Sequence, residues 1–518
     1  MHTLKRFTEN IGWLVIGTLV SNVISIFISI FIIRKLSISD FGIYSLFMGS
    51  LSILSIFSIN GILLSLRRFI PELIQKRNYS YHKSLIVKLY SVSLLLMFIL
   101  VVIVFLNKKE IGILLNIDKF ELYFSVFIIN IFLYLQTSIS QDVLNSLYEQ
   151  KVVQIYSAIS IILRGLLYAV FAPTLTIDLI FIIEATTIGF KAIIFIGYAY
   201  KRISDLAKDN NCEIGLNEKK KLRTRITRYT LLSTANEVGE GGFSQVSDYY
   251  FISAYLGTHA MGLYAFPYKL ISSIFSWIPV DRMNEMFKLY FINKYYEKNE
   301  SNEYLTSMFN FLFKIYFLFY GIIVVTLLSY QKLIQIFVFD SKYLETQVLV
   351  IIILIFYLNK ALGYPTHIII EIKEHIEYTL YAKVFAVFNV LAVIFVLKYT
   401  NWNLIGVALA TGVSTSLRFI YVYYRIKSIS NTKIIIPEFM KVLSLLAIVG
   451  IIMYSLSFVN NLTMQIVLPV LFGSITFLIL YRIIRPFHAS EEIMLSRFIE
   501  KILPKSNIIA KILAFNHT

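Results

Sequence analysis

The sequence predicts an all-α integral membrane protein of about fourteen transmembrane helices. Three observations predict it. Of 518 residues, 57% are hydrophobic and only 15% are charged, against about 25% charged in soluble domains. Mean hydropathy is +0.72. Apolar runs of about 20 residues or more, each long enough to cross a hydrocarbon core of roughly 30 Å, recur from one end of the chain to the other.

The first run, 11–33, follows Lys5 and Arg6 as the core of a secretory leader would. It spans about 23 residues and ends in RKLSISD with no small-residue cleavage site, so it reads as a retained helix. Spans follow at 41–66, 85–106, 120–147, 152–172 and 175–200. A basic stretch, 201–228, interrupts the series and reads as a solvated linker. After it come 229–256, 259–287, 307–328, 345–370, 376–397 and 402–424, then 438–457 and 464–484. The seventh, eighth and tenth are the weakest, because they carry charges, Gly or Pro. In the tenth, Gly363 and Pro365 of KALGYPTH predict a kink or break just beyond Lys360. The last two spans differ from the rest: from Val442 to Tyr481, 40 residues carry no charge. Peripheral lipid-facing helices and a groove for a hydrocarbon tail both suit that stretch.

Net charge is +17, and its distribution decides what it means. With the N-terminus inside and fourteen spans, the cytoplasmic segments hold 31 Lys and Arg, the opposite loops 8 and the spans 9. That is the positive-inside asymmetry of a cell (cytoplasmic, inner) membrane protein with both termini cytoplasmic. No nucleic-acid partner is needed to explain the basic excess. One cysteine, Cys212, allows no internal disulfide, and the seven histidines show no HExxH-like spacing. No metal site and no cofactor are expected. There is no GxxxxGK[ST] run for ATP and no loop able to hold a nucleotide or catalytic domain, so any work must come from ion gradients, membrane potential or downstream consumption, and no enzymatic activity is expected.

The two halves resemble each other. DFGIYSLFMGSLSIL (40–54) aligns with AMGLYAFPYKLISSI (260–274) at an offset of 220, pairing Gly42 with Gly262 and Tyr44 with Tyr264. EATTIGFKAIIFIGYAY (184–200) aligns with LATGVSTSLRFIYVYYR (409–425) at 225, pairing Ala185 and Thr186 with Ala410 and Thr411. Two matches in order at nearly one offset predict two parallel six-helix units, as in secondary transporters. The expected organisation is a bundle at 1–200, the basic linker at 201–228, a second bundle at 229–428, and two extra helices with a basic tail at 429–518.

Charges inside the spans are the candidate functional groups. A charge at the bilayer centre costs about 2.5–3.5 kcal/mol on insertion scales. Lys88, Asp281, Arg282 and Glu285 lie close enough to span ends to snorkel. Lys314, Lys383 and Arg418 lie six or seven residues inside, where snorkelling and a functional role compete. Arg164, Lys191, Lys269, Lys360, Glu184 and Asp248 are deeper and predict a polar interior or an intramembrane ion pair. In the seventh span Glu237, Glu240, Ser244 and Asp248 are spaced by 3, 4 and 4. On a continuous helix they share an arc of about 80° and climb about 16 Å, a stripe along a cavity axis. An ion-pair network holding this helix against Arg164 or Lys269 is the competing explanation. Gly239, Gly241 and Gly242 interrupt the stripe and admit a bend. The polar positions of the first helix, Thr18, Asn22, Ser25 and Ser29, read as a packing face.

Three stretches carry a resemblance: RKLSISDFGIYSLF (34–47), SQVSDYYFISAYLGTHAMGLYAFPYKL (244–270) and NLIGVALATGVSTSLRFIYVYYRIK (403–427). The chain resembles the Wzx-type polysaccharide flippases of the multidrug/oligosaccharidyl-lipid/polysaccharide exporter superfamily. The resemblance implies two six-helix bundles around a central cavity with alternating access. It implies a cargo of undecaprenyl-pyrophosphate-linked oligosaccharide, moved from the cytoplasmic to the outer leaflet for O-antigen (lipopolysaccharide) or capsule synthesis. Membrane lipid, a polysaccharide polymerase and glycosyltransferases are the partners it implies, and a monomer is the expected state. Arg164, Lys191, Lys269, Lys360, Lys383 and Arg418 are then the candidate cationic lining for the diphosphate. Glu184, Glu237, Glu240 and Asp248 are the candidate coupling or gating carboxylates. Fourteen spans also resemble the MurJ-type lipid II flippases, whose last two helices form a lipid groove. Drug/cation antiporters of the superfamily often use an acidic residue in the first helix. Here that helix offers only Asn22, and the embedded groups singled out above are nine basic and six acidic, which favours an anionic cargo. A membrane-embedded glycosyltransferase would need an acidic catalytic loop, and the outside loops are under about 16 residues.

Overall fold

Backbone polar groups in hydrocarbon find partners only within their own segment, so an apolar chain of this kind folds as helices. The computed structural model describes residues 2–75, 79–208, 216–275, 291, 295, 297, 301–373, 375, 377–459, 461–488 and 491–492. No strand occurs among them.

The main helices are α1 (His2–Lys35), α2 (Ile38–Ser58), α3 (Asn60–Gln75), α4 (Tyr79–Leu106), α5 (Lys108–Leu114), α6 (Phe120–Ser146), α7 (Gln150–Val170) and α8 (Ile177–Lys208). They are followed by α9 (Leu216–Gly241), α10 (Gln245–Phe275), α11 (Asn302–Leu333), α12 (Gln347–Tyr357), α13 (Asn359–Ile372) and α14 (Glu377–Tyr381). The series ends with α15 (Val384–Tyr399), α16 (Asn403–Ser430), α17 (Ile436–Leu456) and α18 (Leu462–Ile484). Caps mark several starts: Ser37 Oγ accepts from the Asp40 amide at 3.0 Å, and Asn461 Oδ1 accepts from the Thr463 amide at 3.0 Å.

Eleven described helical stretches are long and apolar enough to cross a membrane, and they fall on the predicted spans two to six and nine to fourteen. The other three correspond to α1, to α9 with the start of α10, and to the rest of α10. The predicted eighth span runs on to 287, and residues 276–287, with Asp281, Arg282 and Glu285, lie outside the described residues.

Three local features differ from the sequence reading. The predicted linker is largely helical, because α8 continues to Lys208 and α9 begins at Leu216. The tenth span breaks at Leu358, before Lys360, while Pro365 is carried inside α13. The seventh helix is not continuous across its polar stripe: α9 stops at Gly241 and α10 starts at Gln245. There α15 presses against the break, since a Cβ on Gly242 would meet Ala386 Cβ at 2.7 Å. The carbonyl of Gly242 receives Asn389 Nδ2 at 3.0 Å, which replaces its lost helical partner. A second turn falls at Gly257, whose φ of 83° and ψ of 176° suit only glycine. It separates the predicted seventh and eighth spans.

By contacts the chain forms two compact units. The first comprises 1–278, 336–349 and 383–414. In it α1 packs on α7, α6 on α8, α2 on α10 and α3 on α9, with α15 against α9 and α10. Its core includes Phe47, whose ring centroid lies 5.1 Å from that of Phe127 and 5.3 Å from that of Phe181. The second unit comprises 279–335, 350–382 and 415–518. In it α11 packs on α13 and α17, and α17 on α18. α18 buries little beyond Pro469 and Gly473, leaving most of its uncharged surface exposed.

Candidate substrate and coupling groups

Most embedded charges of the first unit are held by named partners. Glu184 on α8 is 2% exposed. It accepts Arg164 Nη1 from α7 at 3.2 Å and Tyr168 Oη at 2.8 Å. The i,i+4 spacing of Arg164 and Tyr168 puts both on one face of α7, and α7 packs along α8. Tyr44 on α2 lies within electrostatic range of both Arg164 and Glu184. Lys191, seven residues after Glu184 on the same face of α8, lies within range of Arg164. Lys269 on α10 lies within range of Arg164 and Glu184. Lys191 and Lys269 therefore both lie near Arg164, which pairs with Glu184, and neither lysine makes an ion pair among the described residues.

The three carboxylates of the seventh span go to different partners. Glu237 accepts Asn60 Nδ2 from α3 at 3.1 Å. Glu240 pairs with Lys383, which itself packs on Gly239. Asp248 is 1% exposed and accepts Tyr264 Oη at 2.8 Å and Thr411 Oγ1 at 2.9 Å on one oxygen. Its other oxygen has no partner among the described residues, and neither does Asn389 Oδ1. The continuous stripe predicted for Glu237, Glu240, Ser244 and Asp248 is thus corrected: the break at 242–244 divides it. The competing network with Arg164 or Lys269 is not what holds these carboxylates. Lys383, expected as cationic lining, spends its charge on Glu240.

Lys360 and Arg418 belong to the second unit. Lys360 Nζ sits 4.1 Å from the Tyr357 ring centroid, and the Arg418 guanidinium 5.5 Å from that of Phe419. Beside them Asn359 Nδ2 donates to Ser416 Oγ at 2.7 Å, joining α13 to α16. Lys314, for which snorkelling was an open reading, is buried instead. It is 1% exposed and donates to Glu438 at 2.7 Å and Glu491 at 2.6 Å. His488 also contacts Glu438, at 2.6 Å.

Sequence reasoning did not reach Tyr168, Asn60 or Asn389, because neutral hydrogen-bonding groups stand out from an apolar span less than charges do. It also missed Arg67, which grips the buried Asp142 through Nε at 3.0 Å and Nη2 at 2.9 Å. Two missed groups had a signal. Tyr264 and Thr411 are both positions that the internal repeat pairs, with Tyr44 and Thr186.

The multi-pass helical fold is one shared with solved membrane transport proteins of low sequence identity. A lipid II flippase, MurJ, in an inward closed conformation matches with a TM-score of 0.66 at 18% identity, over 90% of this chain and 98% of that one. An inward-facing multidrug resistance MATE family transporter matches with a TM-score of 0.61 at 14% identity, over 80% and 95%. Its outward-facing counterpart matches with a TM-score of 0.55 at 13% identity, over 81% and 96%. No curated protein matches by sequence. Residues 7–279, a little over half of the chain, match the family described as polysaccharide biosynthesis protein, and the chain belongs to that family.

Proposed function

We propose that the protein is a flippase for undecaprenyl-pyrophosphate-linked oligosaccharide repeat units, moving them from the cytoplasmic to the outer leaflet for surface polysaccharide synthesis. The observation that carries this reading is the placement of Lys191 and Lys269 near Arg164, which alone of the three pairs with Glu184. Glu184 offsets one cation and leaves two for an anion. A diphosphate is the complementary cargo in a chain of the polysaccharide biosynthesis family. Fixed positive charge lowers the cost of bringing a phosphate out of water. With an inside-negative potential, outward movement of two negative charges gains about 4.6 kcal/mol per 100 mV. The cluster then needs only to lower the barrier. Asp248 and the Arg164–Glu184 pair are the coupling or gating groups in this reading. The Lys and Arg asymmetry supports cytoplasmic termini.

The test is surface glycan per molecule of inserted protein, in a strain lacking the native gene. Lys269→Gln should export far less than the exposed-surface control Lys109→Gln. Equal export would refute a cationic site at this cluster.

Translocation of lipid II is the second reading, favoured by the match to the MurJ flippase over most of both chains. Deletion of the gene separates the two. A cell that loses only surface glycan remains viable, whereas one that loses peptidoglycan precursor export does not.

A further inference from the structure

A second basic feature lies away from the Arg164 cluster. α4, α9 and α3 share a small core of Phe69, Leu73, Leu85 and Ile226. Beside it, and lined in part by Leu85 and Ile226, α4 and α9 form a pocket of about 360 Å³. Lys88 lines it from α4, and Lys219, Lys220 and Arg223 from α9, with the hydroxyls of Ser84 and Thr227. No carboxylate is among its described lining. The flank of α9 that faces α3 is treated differently, since Arg225 there is neutralised by Glu72 at 2.9 and 3.1 Å. Arg225 is therefore balanced where α9 meets α3, while Lys88, Lys220 and Arg223 make no ion pair among the described residues where α9 meets α4.

What lies below the pocket identifies the occupant. Val92, Leu95 and Ile99 follow Lys88 by four, seven and eleven residues, so they continue its face of α4. They are 40%, 60% and 46% exposed, and they belong to a stretch apolar enough to cross a membrane. A cation-lined pocket at the head of an open apolar strip of about 16 Å matches a molecule with a phosphate at one end and hydrocarbon at the other. A free anion would use the charges alone and make no use of the strip. We propose that the α4–α9 pocket binds the headgroup phosphate of an anionic glycerophospholipid, whose chains lie along Val92, Leu95 and Ile99. This site is separate from the proposed cargo cluster and stands whether or not the flippase reading does.

The test uses the full-length protein in neutral detergent, titrated with fluorescent phosphatidylglycerol or phosphatidylcholine. The unmodified protein should prefer phosphatidylglycerol. Neutralising the three cations in Lys88→Gln/Lys220→Gln/Arg223→Gln should weaken that binding by about a hundredfold and leave phosphatidylcholine unchanged. Lys269→Gln should keep the preference, which separates this site from the cargo cluster. Because the triple variant could fail to fold, a salt series on the unmodified protein is the second measurement. Raising NaCl from about 50 to 500 mM should erase the preference. An unchanged preference in a folded triple variant, or a salt-independent one, would overturn the proposal. So would displacement by inorganic phosphate, which marks a simple anion site. Displacement by farnesyl diphosphate more tightly than by phosphatidylglycerol would also overturn it, by assigning the pocket to a prenyl carrier.

Discussion

Gly42 on α2 and Gly262 on α10 stand back to back. A Cβ on Gly42 would lie 2.8 Å from the Gly262 nitrogen, and a Cβ on Gly262 would collide with the Ile38 carbonyl. These are the two positions that the internal repeat aligns. A contact between equivalent residues is the geometry of an axis passing between them. Where helices meet backbone to backbone in a membrane, small residues set the distance. Gly42→Ala or Gly262→Ala should therefore lower stability by about 1–3 kcal/mol. Gly197→Ala, with nothing within 4 Å of its Cβ, should be neutral. Melting of the three variants in one detergent makes the comparison, and equal melting temperatures would show that the contact is not tight.

Asp248 is buried with only hydroxyl donors on it and one oxygen unpartnered among the described residues. Asp248→Asn keeps the shape and removes the charge. Export should fall sharply while membrane insertion stays normal. Glu237→Gln, which still accepts from Asn60, should have a smaller effect. Normal glycan export by Asp248→Asn at matched expression would end the coupling assignment.

Arg164 and Lys269 should fail in different ways. Arg164→Gln leaves Glu184 buried beside Tyr168 without its cation, so the amount of inserted protein should drop. Loss of one member of a buried pair costs about 3–5 kcal/mol. The double variant Arg164→Gln/Glu184→Gln should recover insertion but not export. Lys269 makes no ion pair among the described residues, so Lys269→Gln should insert normally and export poorly, with Lys269→Arg partly active. Quantifying membrane protein and surface glycan in the same cells tests all four variants. Poor insertion of Lys269→Gln would make that lysine structural.

Lys314 holds α11 to α17 and to Glu491. Lys314→Met leaves two carboxylates facing each other and should destabilise the protein by about 3–5 kcal/mol. Adding Glu438→Gln and Glu491→Gln should restore much of that. Thermal unfolding in detergent is the measurement, and a lack of rescue by the triple variant would assign the loss to packing.

Much of the candidate chemistry was legible before folding, because a charge in an apolar span is conspicuous. Glu184 and Asp248 were singled out on depth alone, and both are nearly inaccessible. Which charges pair was not legible. Glu240 and Lys383 lie 143 residues apart, and Lys314 and Glu491 lie 177 apart. Nothing local ties either pair together. The polar stripe of the seventh span failed for a related reason: the arc of Glu237, Glu240, Ser244 and Asp248 assumed a continuous helix. Its break is stabilised by Ala386 and Asn389 from a helix more than a hundred residues away.

The sequence by itself determined the all-helical membrane architecture, eleven described spans and the embedded charges. Hydrocarbon imposes length, hydropathy and internally satisfied backbone on each segment separately, so those properties are written locally. Only the tertiary structure decided that Arg164 is spent partly on Glu184 and Lys383 on Glu240, that Lys191 and Lys269 share the neighbourhood of Arg164, and that Asp248 rests on Tyr264 and Thr411. Partner choice depends on which helix faces meet, and that is settled by packing of distant segments such as the close contact of Gly42 and Gly262. A charge announces its own cost in the sequence, while the group that offsets it is found only when the chain is folded.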